Sequence, residues 1–444
     1  MKRQRSRGRV ALAGAVAICA VAALPGPAGA AGEPSPYVFQ PGAVRITGAA
    51  TTSDAERLDA GSTYRDSIGP DGTLIYRLDL DAKTNAYVSV VAVPKLNTRV
   101  AYGDKIKVSV QNREGNDCGS NDAGFGSGEF PRPLAAYAYR LIDENASSCQ
   151  EAGPYFVVVE RTGKDASTPE AWDLEIRHVS EPGLREAGPS EAPSVWPSAS
   201  PEPVGDGPRV REGGTSFYDA TGLTQGEWRA RIEPGASLFY RVPVDWGQQL
   251  FVSADLGSSG GTGFVSGAVS VSLYNPARGL VDSRDSMSYD GKQKTTSLEP
   301  LPPVAYENRF GSGSGDTDMR FAGWYYLRVS LNPQVGEVFG KRPYGLTLRV
   351  NVRGRAESGP GYAGPAGDFT VTPEKLDDAS NGQSSEDAAR SDRMVLVAAS
   401  GIGAGSALLL GLGAWTLLAR RRGGRGPGRG AEEARTREYG PPAR

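Results

Sequence analysis

Tyr64-Arg65-Asp66-Ser67-Ile68-Gly69-Pro70 and Trp228-Arg229-Ala230-Arg231-Ile232-Glu233-Pro234 are one phrase written twice, 164 residues apart. At the same offset Leu74, Tyr76, Arg77, Asp81, Val88 and Ser89 match Leu238, Tyr240, Arg241, Asp245, Val252 and Ser253. Upstream, Asp54, Leu58 and Gly61 match Asp219, Leu223 and Gly226. Downstream, Val108-Ser109 pairs with Val271-Ser272, and Pro131, Pro133, Ala136, Tyr137 and Arg140 with Pro300, Pro302, Ala305, Tyr306 and Arg309. Tyr155 pairs with Tyr325, and Trp172, Leu174, Ile176 and Arg177 with Tyr344, Leu346, Leu348 and Arg349. Matches that keep their order over this length indicate a duplicated module.

Each copy reads as β. Leu74, Tyr76, Leu78 and Leu80 alternate with Ile75, Arg77 and Asp79, and the same period of two runs through Ile106, Val108 and Val110 and through Trp172, Leu174 and Ile176. Such alternation gives a strand one buried face, and no stretch in either copy sustains a helical period. The expected fold class is all-β: two duplicated jelly-roll-like antiparallel β sandwiches over residues 44–180 and 209–353, plus one C-terminal transmembrane helix. Residues 181–208 carry seven prolines and read as an extended spacer of at most about 85 Å, which predicts two modules that do not share a core. Residues 354–393, rich in Gly, Ser and acids, read as a flexible stalk.

The ends read as topology signals. Lys2, Arg3, Arg5, Arg7 and Arg9 precede an apolar run from Val10 to Leu24 and a small-residue site at Ala28-Gly29-Ala30, the pattern of a signal peptide over residues 1–30. Met394 to Ala419 is an uncharged run of 26 residues, about 39 Å as a helix against an apolar bilayer core of about 30 Å. The arginines that follow, in a tail over residues 420–444, give the positive-inside signal, so the body is expected outside the cell membrane and the tail in the cytoplasm. Gly401 and Gly405 place small residues four apart in the span, a spacing that would let two helices approach closely for transmembrane association and a homo-oligomer, although small residues are also common in membrane helices.

Within the second copy, Ser272-Leu273-Tyr274-Asn275-Pro276-Ala277-Arg278-Gly279-Leu280-Val281, then Ala322-Gly323-Trp324-Tyr325-Tyr326 and Tyr344-Gly345-Leu346-Thr347-Leu348, resemble the bacterial pre-peptidase C-terminal (PPC) module. That resemblance implies a jelly-roll-like sandwich appended to secreted and surface proteins. The family's Asp-x-Asp-Leu-Tyr strand is reduced to Val271-Ser272-Leu273-Tyr274. The layout as a whole is similar to actinobacterial single-pass surface proteins.

Composition narrows the chemistry. Gly (59) and Pro (32) are abundant, the net charge is −2, and setting aside the five basic residues before Val10 and the eight arginines from Arg420 onward leaves an acidic middle, which argues against a nucleic-acid partner. After removal of Cys19 with the leader, Cys118 and Cys149 are the only cysteines, and in an exported chain they are expected to form a disulfide stapling a long insertion at Arg113 to Pro131. His178 is the sole histidine and falls where the duplicate has Val350, so it reads as a structural residue and not as a catalytic one. Asn116, Asp117, Asn121, Asp122, Asp282, Asp285 and Asp290 could offer oxygens to calcium, but they lack EF-hand or RTX spacing and turn chemistry accounts for them. No catalytic residue, cofactor or metal ligand is therefore assigned. Trp196, Trp228, Trp246 and Tyr289, near loops, are candidate contacts for a ligand, with core or edge packing the favoured reading for Trp228 and Trp246.

The reading is a membrane-anchored, exported, non-catalytic binding or scaffolding protein whose partner is a cell-wall polymer or a surface protein. The alternatives are an accessory subunit of a membrane complex and a divergent hydrolase. Protease added to intact, wall-stripped cells is expected to remove residues 31–393 and leave the arginine-rich tail intact. A tail digested from outside would reverse the orientation.

Overall fold

One wrapping rule governs both copies. The computed structural model describes residues 34–143, 146–163, 167–186, 188–199, 201–202, 207–390, 408–418 and 420. The first copy supplies β1 (Val44–Arg45), β2 (Thr63–Ile68), β3 (Thr73–Leu80), β4 (Asn85–Val93), β5 (Lys105–Gln111), β6 (Asp117–Gly124), β7 (Leu134–Arg140), β8 (Gly153–Thr162) and β9 (Trp172–Glu181). The second supplies β10 (Pro208–Val210), β11 (Thr221–Gly222), β12 (Gly226–Ile232), β13 (Ser237–Val244), β14 (Gln249–Leu256), β15 (Val265–Tyr274), β16 (Leu280–Tyr289), β17 (Lys294–Ser297), β18 (Gly323–Leu331) and β19 (Tyr344–Arg353).

In the first copy β2 pairs with β9, β3 with β8, β4 with β7 and β5 with β6, all antiparallel. In the second, β12 pairs with β19, β13 with β18, β14 with β17 and β15 with β16. Nested pairing of first strand with last is the jelly-roll wrap. The sheets have orders β1-β2-β9-β4-β7 and β3-β8-β5-β6 in one copy, and β10-β12-β19-β14-β17 and β11-β13-β18-β15-β16 in the other.

The repeat read from sequence is a repeat of register. Ile68 faces Trp172 as Ile232 faces Tyr344, and Val88 faces His178 as Val252 faces Val350. Leu74 faces Val159 as Leu238 faces Val329. One matched block fails. Tyr137 lies in β7, whereas Tyr306 lies in a 3-10 turn beyond β17, so the Pro131–Arg140 and Pro300–Arg309 blocks share residues without sharing a place. The segment from Arg113 to Pro131 is not an insertion either: it contains β6, the counterpart of β16.

Alternation fills a core inside each sandwich. Tyr76, Leu78, Ile106, Val108, Trp172, Leu174 and Ile176 close the first, and Trp228, Ile232, Val252, Val271, Leu327 and Leu346 the second. The two sandwiches are not separate, contrary to the expectation drawn from the proline-rich spacer. β4 and β18 are buried on both faces. Tyr37, Val91 and Ala135 from the first copy and its leading segment pack with Phe217, Phe239, Tyr274, Trp324 and Tyr326 of the second in a third core. The body is a four-layered stack in which the β2-β9-β4-β7 sheet lies against the β13-β18-β15-β16 sheet.

Polar groups close that layer. Glu175 and Arg278, both buried, form an ion pair at 2.7 Å, and Tyr37 Oη donates to the same carboxylate at 3.2 Å. Arg278 reaches it because Asn275 Oδ1 accepts the amides of Ala277 and Gly279 at 3.0 and 2.9 Å, folding Asn275-Pro276-Ala277-Arg278-Gly279 into a tight turn. A Cβ on Gly279 would stand 2.5 Å from the Tyr137 ring, so only glycine lets the modules approach here. Arg328 donates to the Pro133 carbonyl and Tyr137 to Asp318 across the same junction.

The segment expected to be a flexible stalk is docked as far as Arg390. Tyr362 Oη donates to Glu181 at 2.8 Å, Asp368 binds Arg177 at 2.9 Å, and Phe369 stacks on Phe321 with ring centroids 4.5 Å apart. The short helices α1 (Ser314–Asp318) and α2 (Gln334–Phe339) flank β18. The strap's own helix, α3 (Pro373–Asn381), begins at the Thr372 cap and lies on β11 and β13. A Cβ on Gly222 would come within 2.9 Å of Ala379 Cα, so β11 needs glycine where α3 crosses it.

The signal peptide, Gly401, Gly405 and most of the tail lie outside the described residues. Residues 408–418 are helical, with Leu408, Leu410, Leu412 and Trp415 exposed. Among the described residues no helix is long and apolar enough to cross a membrane, and most of the expected span falls outside them.

Replacing Glu175 by Ala leaves Arg278 buried without its carboxylate, and urea unfolding of the body is expected to show a loss of about 3 to 5 kcal/mol. The double replacement Glu175→Leu with Arg278→Met should recover most of it. A single-variant loss below about 1 kcal/mol would show that the pair does not hold the junction.

Candidate binding surfaces

Each residue singled out in the sequence has a definite place. Cys118, on β6, is disulfide-bonded to Cys149 in the loop before β8. His178 lies on β9 with its Nδ1 3.0 Å from the Leu58 carbonyl, while Nε2 is buried without a partner. Burial pushes its pKa below the ordinary value, so the ring is neutral near neutral pH. Of the four candidate aromatics, only Trp196 is left partly exposed. Trp228, Trp246 and Tyr289 are buried, because each lies on or beside a strand whose inward face they fill. Trp228 donates Nε1–H to the Thr224 carbonyl at 2.9 Å and lies under the guanidinium of Arg209.

The acidic residues weighed as calcium ligands serve neighbouring groups. Asp285 accepts from Ser270 and faces Arg132 at 3.9 Å, and Asp282 accepts the Glu299 amide at 2.8 Å. Among the described residues no group of three or more His, Cys, Asp or Glu side chains is gathered as a metal site.

One open cavity among the described residues, about 380 Å³, lies beside Trp246, Glu357 and Tyr362, and two further cavities are places for a ligand. The first, about 190 Å³, lies on the outer face of the β12-β19-β14-β17 sheet and is closed at one side by Pro201 and Glu202 of the spacer. Arg349 stands in it between Glu227 at 3.3 Å and Asp255 at 2.6 Å. Burial would lower its pKa, but these two carboxylates outweigh that and hold the guanidinium charged. Beside it are the Phe251 ring and the hydroxyls of Ser253 and Ser297, so the groove offers donors and acceptors next to an aromatic face. The second cavity, about 260 Å³, opens between the modules and is lined by Tyr37, Phe39, Pro94, Pro133 and the charged residues Lys95 and Asp173. It sits at a module junction, where pockets are common. Neither cavity was visible in the sequence, since the second needs two modules in contact and the first needs four strands side by side.

A buried polar cluster at the junction also escaped the sequence reading. Glu181 accepts from Tyr87 at 2.7 Å, Asn85 at 2.8 Å and Tyr362 at 2.8 Å, while Arg320 lies over the Tyr87 and Phe321 rings. Burial pushes the Asp318 carboxyl up to about 6 despite Arg320 and the Tyr137 hydroxyl, which act to lower it.

No family model and no curated protein matches the chain. Solved structures with similar β architecture include the CUB1-EGF-CUB2 domain of human MASP-1/3, 8% identical over 65% of this chain and 99% of that one, with a TM-score of 0.16. The N-terminal CBM22-1-CBM22-2 tandem domain of Paenibacillus barcinonensis Xyn10C is 11% identical over 66% of this chain and 92% of its own, with a TM-score of 0.17. A triple jelly-roll protein of an archaeal virus is 9% identical over 67% of this chain and 60% of its own, also at 0.17.

Because His178 is neutral in the folded protein and protonates more readily when unfolded, the stability it lends is present above about pH 6.5 and declines as pH falls below that value. His178→Val is expected to cost about 1 kcal/mol near pH 8, for the hydrogen bond to Leu58, and less at pH 5. Thermal midpoints measured across this range test it. A gap between the two proteins that does not narrow toward acid would contradict the assignment.

Proposed function

We propose that the chain is a non-catalytic binding and scaffolding protein of the cell exterior, built from two PPC-like modules and anchored by one span over residues 394–419. The observation that carries this reading is the third core. Two jelly rolls locked face to face, with a strap holding both, form a rigid support for a recognition surface, and rigid supports are what precise binding sites require. The Arg349 groove supplies such a surface. Its hydroxyls, guanidinium and carboxylates beside Phe251 suit a hydroxyl-rich polymer, whose polar edges and apolar faces alternate, and a wall polysaccharide is the partner such chemistry favours. The leader and the uncharged C-terminal run support an exported, membrane-held location.

Purified cell wall incubated with detergent-solubilised full chain is expected to retain it. Combined Phe251→Ala and Arg349→Ala replacement should weaken retention at least tenfold while leaving the β-type circular dichroism of the folded body unchanged. Equal retention of the variant would remove the groove from the account. Release of soluble fragments from the wall would replace binding by hydrolysis.

A further inference from the structure

A docked strap changes where the body can stand. Beyond α3, Gln383 O accepts from Arg241 at 2.9 Å, Ser385 Oγ accepts from the same guanidinium at 2.7 Å, and Ser384 caps a short helical turn through Asp387 at 2.8 Å. Arg390 closes that turn on Glu386 and Asp387. Met394, the start of the uncharged run, is four residues farther along, so the two are separated by at most about 14 Å of extended chain. In the anchored reading, on which this inference rests, nothing lifts the body off the bilayer.

The exiting segment carries Glu374, Asp377, Asp378, Glu386 and Asp387, whereas the strand edge beside it is rich in arginine. Arg211 donates to the carbonyls of Ser380 and Asn381, the last turn of α3, at 3.1 and 2.7 Å, so it lies at the base of the exit. It continues from β10, an end strand that pairs in parallel with β12 and places Val210 beside Arg229. Arg209, Arg229 and Arg231 are exposed, and Val210 is 76% exposed at the same edge. Two acids lie among them. Glu227 is shared by Arg349 at 3.3 Å and Arg229 at 3.8 Å, and Glu212 accepts the Arg231 amide at 3.3 Å, so four arginines face two acids along the edge.

We propose that this edge, Arg209, Arg229 and Arg231 with Val210 between them and Arg211 tying it to α3, seats on the anionic head groups of the bilayer that holds the chain's own apolar segment. Guanidinium is matched to phosphate in shape and charge, and each basic side chain near an anionic surface contributes about 1 kcal/mol within a screening length of about 8 Å. The tether keeps the edge within reach, so modest attraction suffices. The body then lies on its β10 side, fixed in orientation as well as in height.

The test uses the full chain in nanodiscs of phosphatidylcholine alone or with about one third phosphatidylglycerol. Amide hydrogen exchange over residues 208–212 and 229–231 is expected to slow at least fivefold in the anionic discs. The slowing should vanish at about 0.5 M salt and in the combined Arg209→Glu, Arg229→Glu, Arg231→Glu variant, whose α3 amides should keep their protection. Exchange that is equal in the two kinds of disc in a chain that has entered them would overturn the seating alone. A chain that does not enter discs of either composition would overturn the anchored reading and the seating with it.

Discussion

The structure depends on the burial of two sheet faces against each other. A sandwich normally keeps one face of each sheet for water, but the faces carrying Tyr87, Val91, Ala135 and Tyr137 in one copy and Phe239, Tyr274, Trp324 and Tyr326 in the other are too apolar for that role. Packing them together removes both from solvent. It also takes Glu175, Arg278, Arg320, Asp318 and Glu181 out of water, and each of these has a partner of opposite charge or a set of hydroxyl donors at the junction. Breaking one partnership costs more than the pair contributes, since it leaves a buried charge behind. The polar groups therefore fix the alignment of the faces, and the apolar ones supply the attraction.

Much of this was legible. The alternation of Leu74, Tyr76 and Leu78 gave strands, and the 164-residue offset gave a duplication that the strand register reproduces at Ile68 and Ile232. The pairing of the modules was present in the sequence in a different form. Ala86 to Val93 and Trp324 to Leu331 lack clean alternation, and a strand apolar on both faces has something on both faces. The seven prolines of the spacer pointed the other way, because proline restrains the path of a chain without saying whether its ends meet. The strap was hidden for a related reason: its composition is that of a tail, and it is held by scattered anchors, Tyr362, Asp368, Phe369 and Asp378, each useful only because a site on the body awaits it. Trp228 and Trp246 take the core or edge packing favoured for them, and Tyr289 is buried as well, because a sequence shows that an aromatic is near a loop but not which way it points.

The strap links the architecture to the proposed role. It crosses from Glu181 and Arg177 of the first module to Arg211 and Arg241 of the second, so the element that leads toward the C-terminal apolar run is also the one that joins the modules. A pull on either end is shared by both sandwiches. The disulfide between Cys118 and Cys149 braces the outermost sheet of the first module, the layer farthest from the junction.

The central claim is that two repeated modules form one cooperative body. Calorimetric unfolding of residues 34–390 tests it most directly. The account predicts a single transition whose calorimetric and van't Hoff enthalpies agree for the whole fragment. Two separable transitions, with the first module unfolding at the same temperature whether or not the second is present, would contradict it.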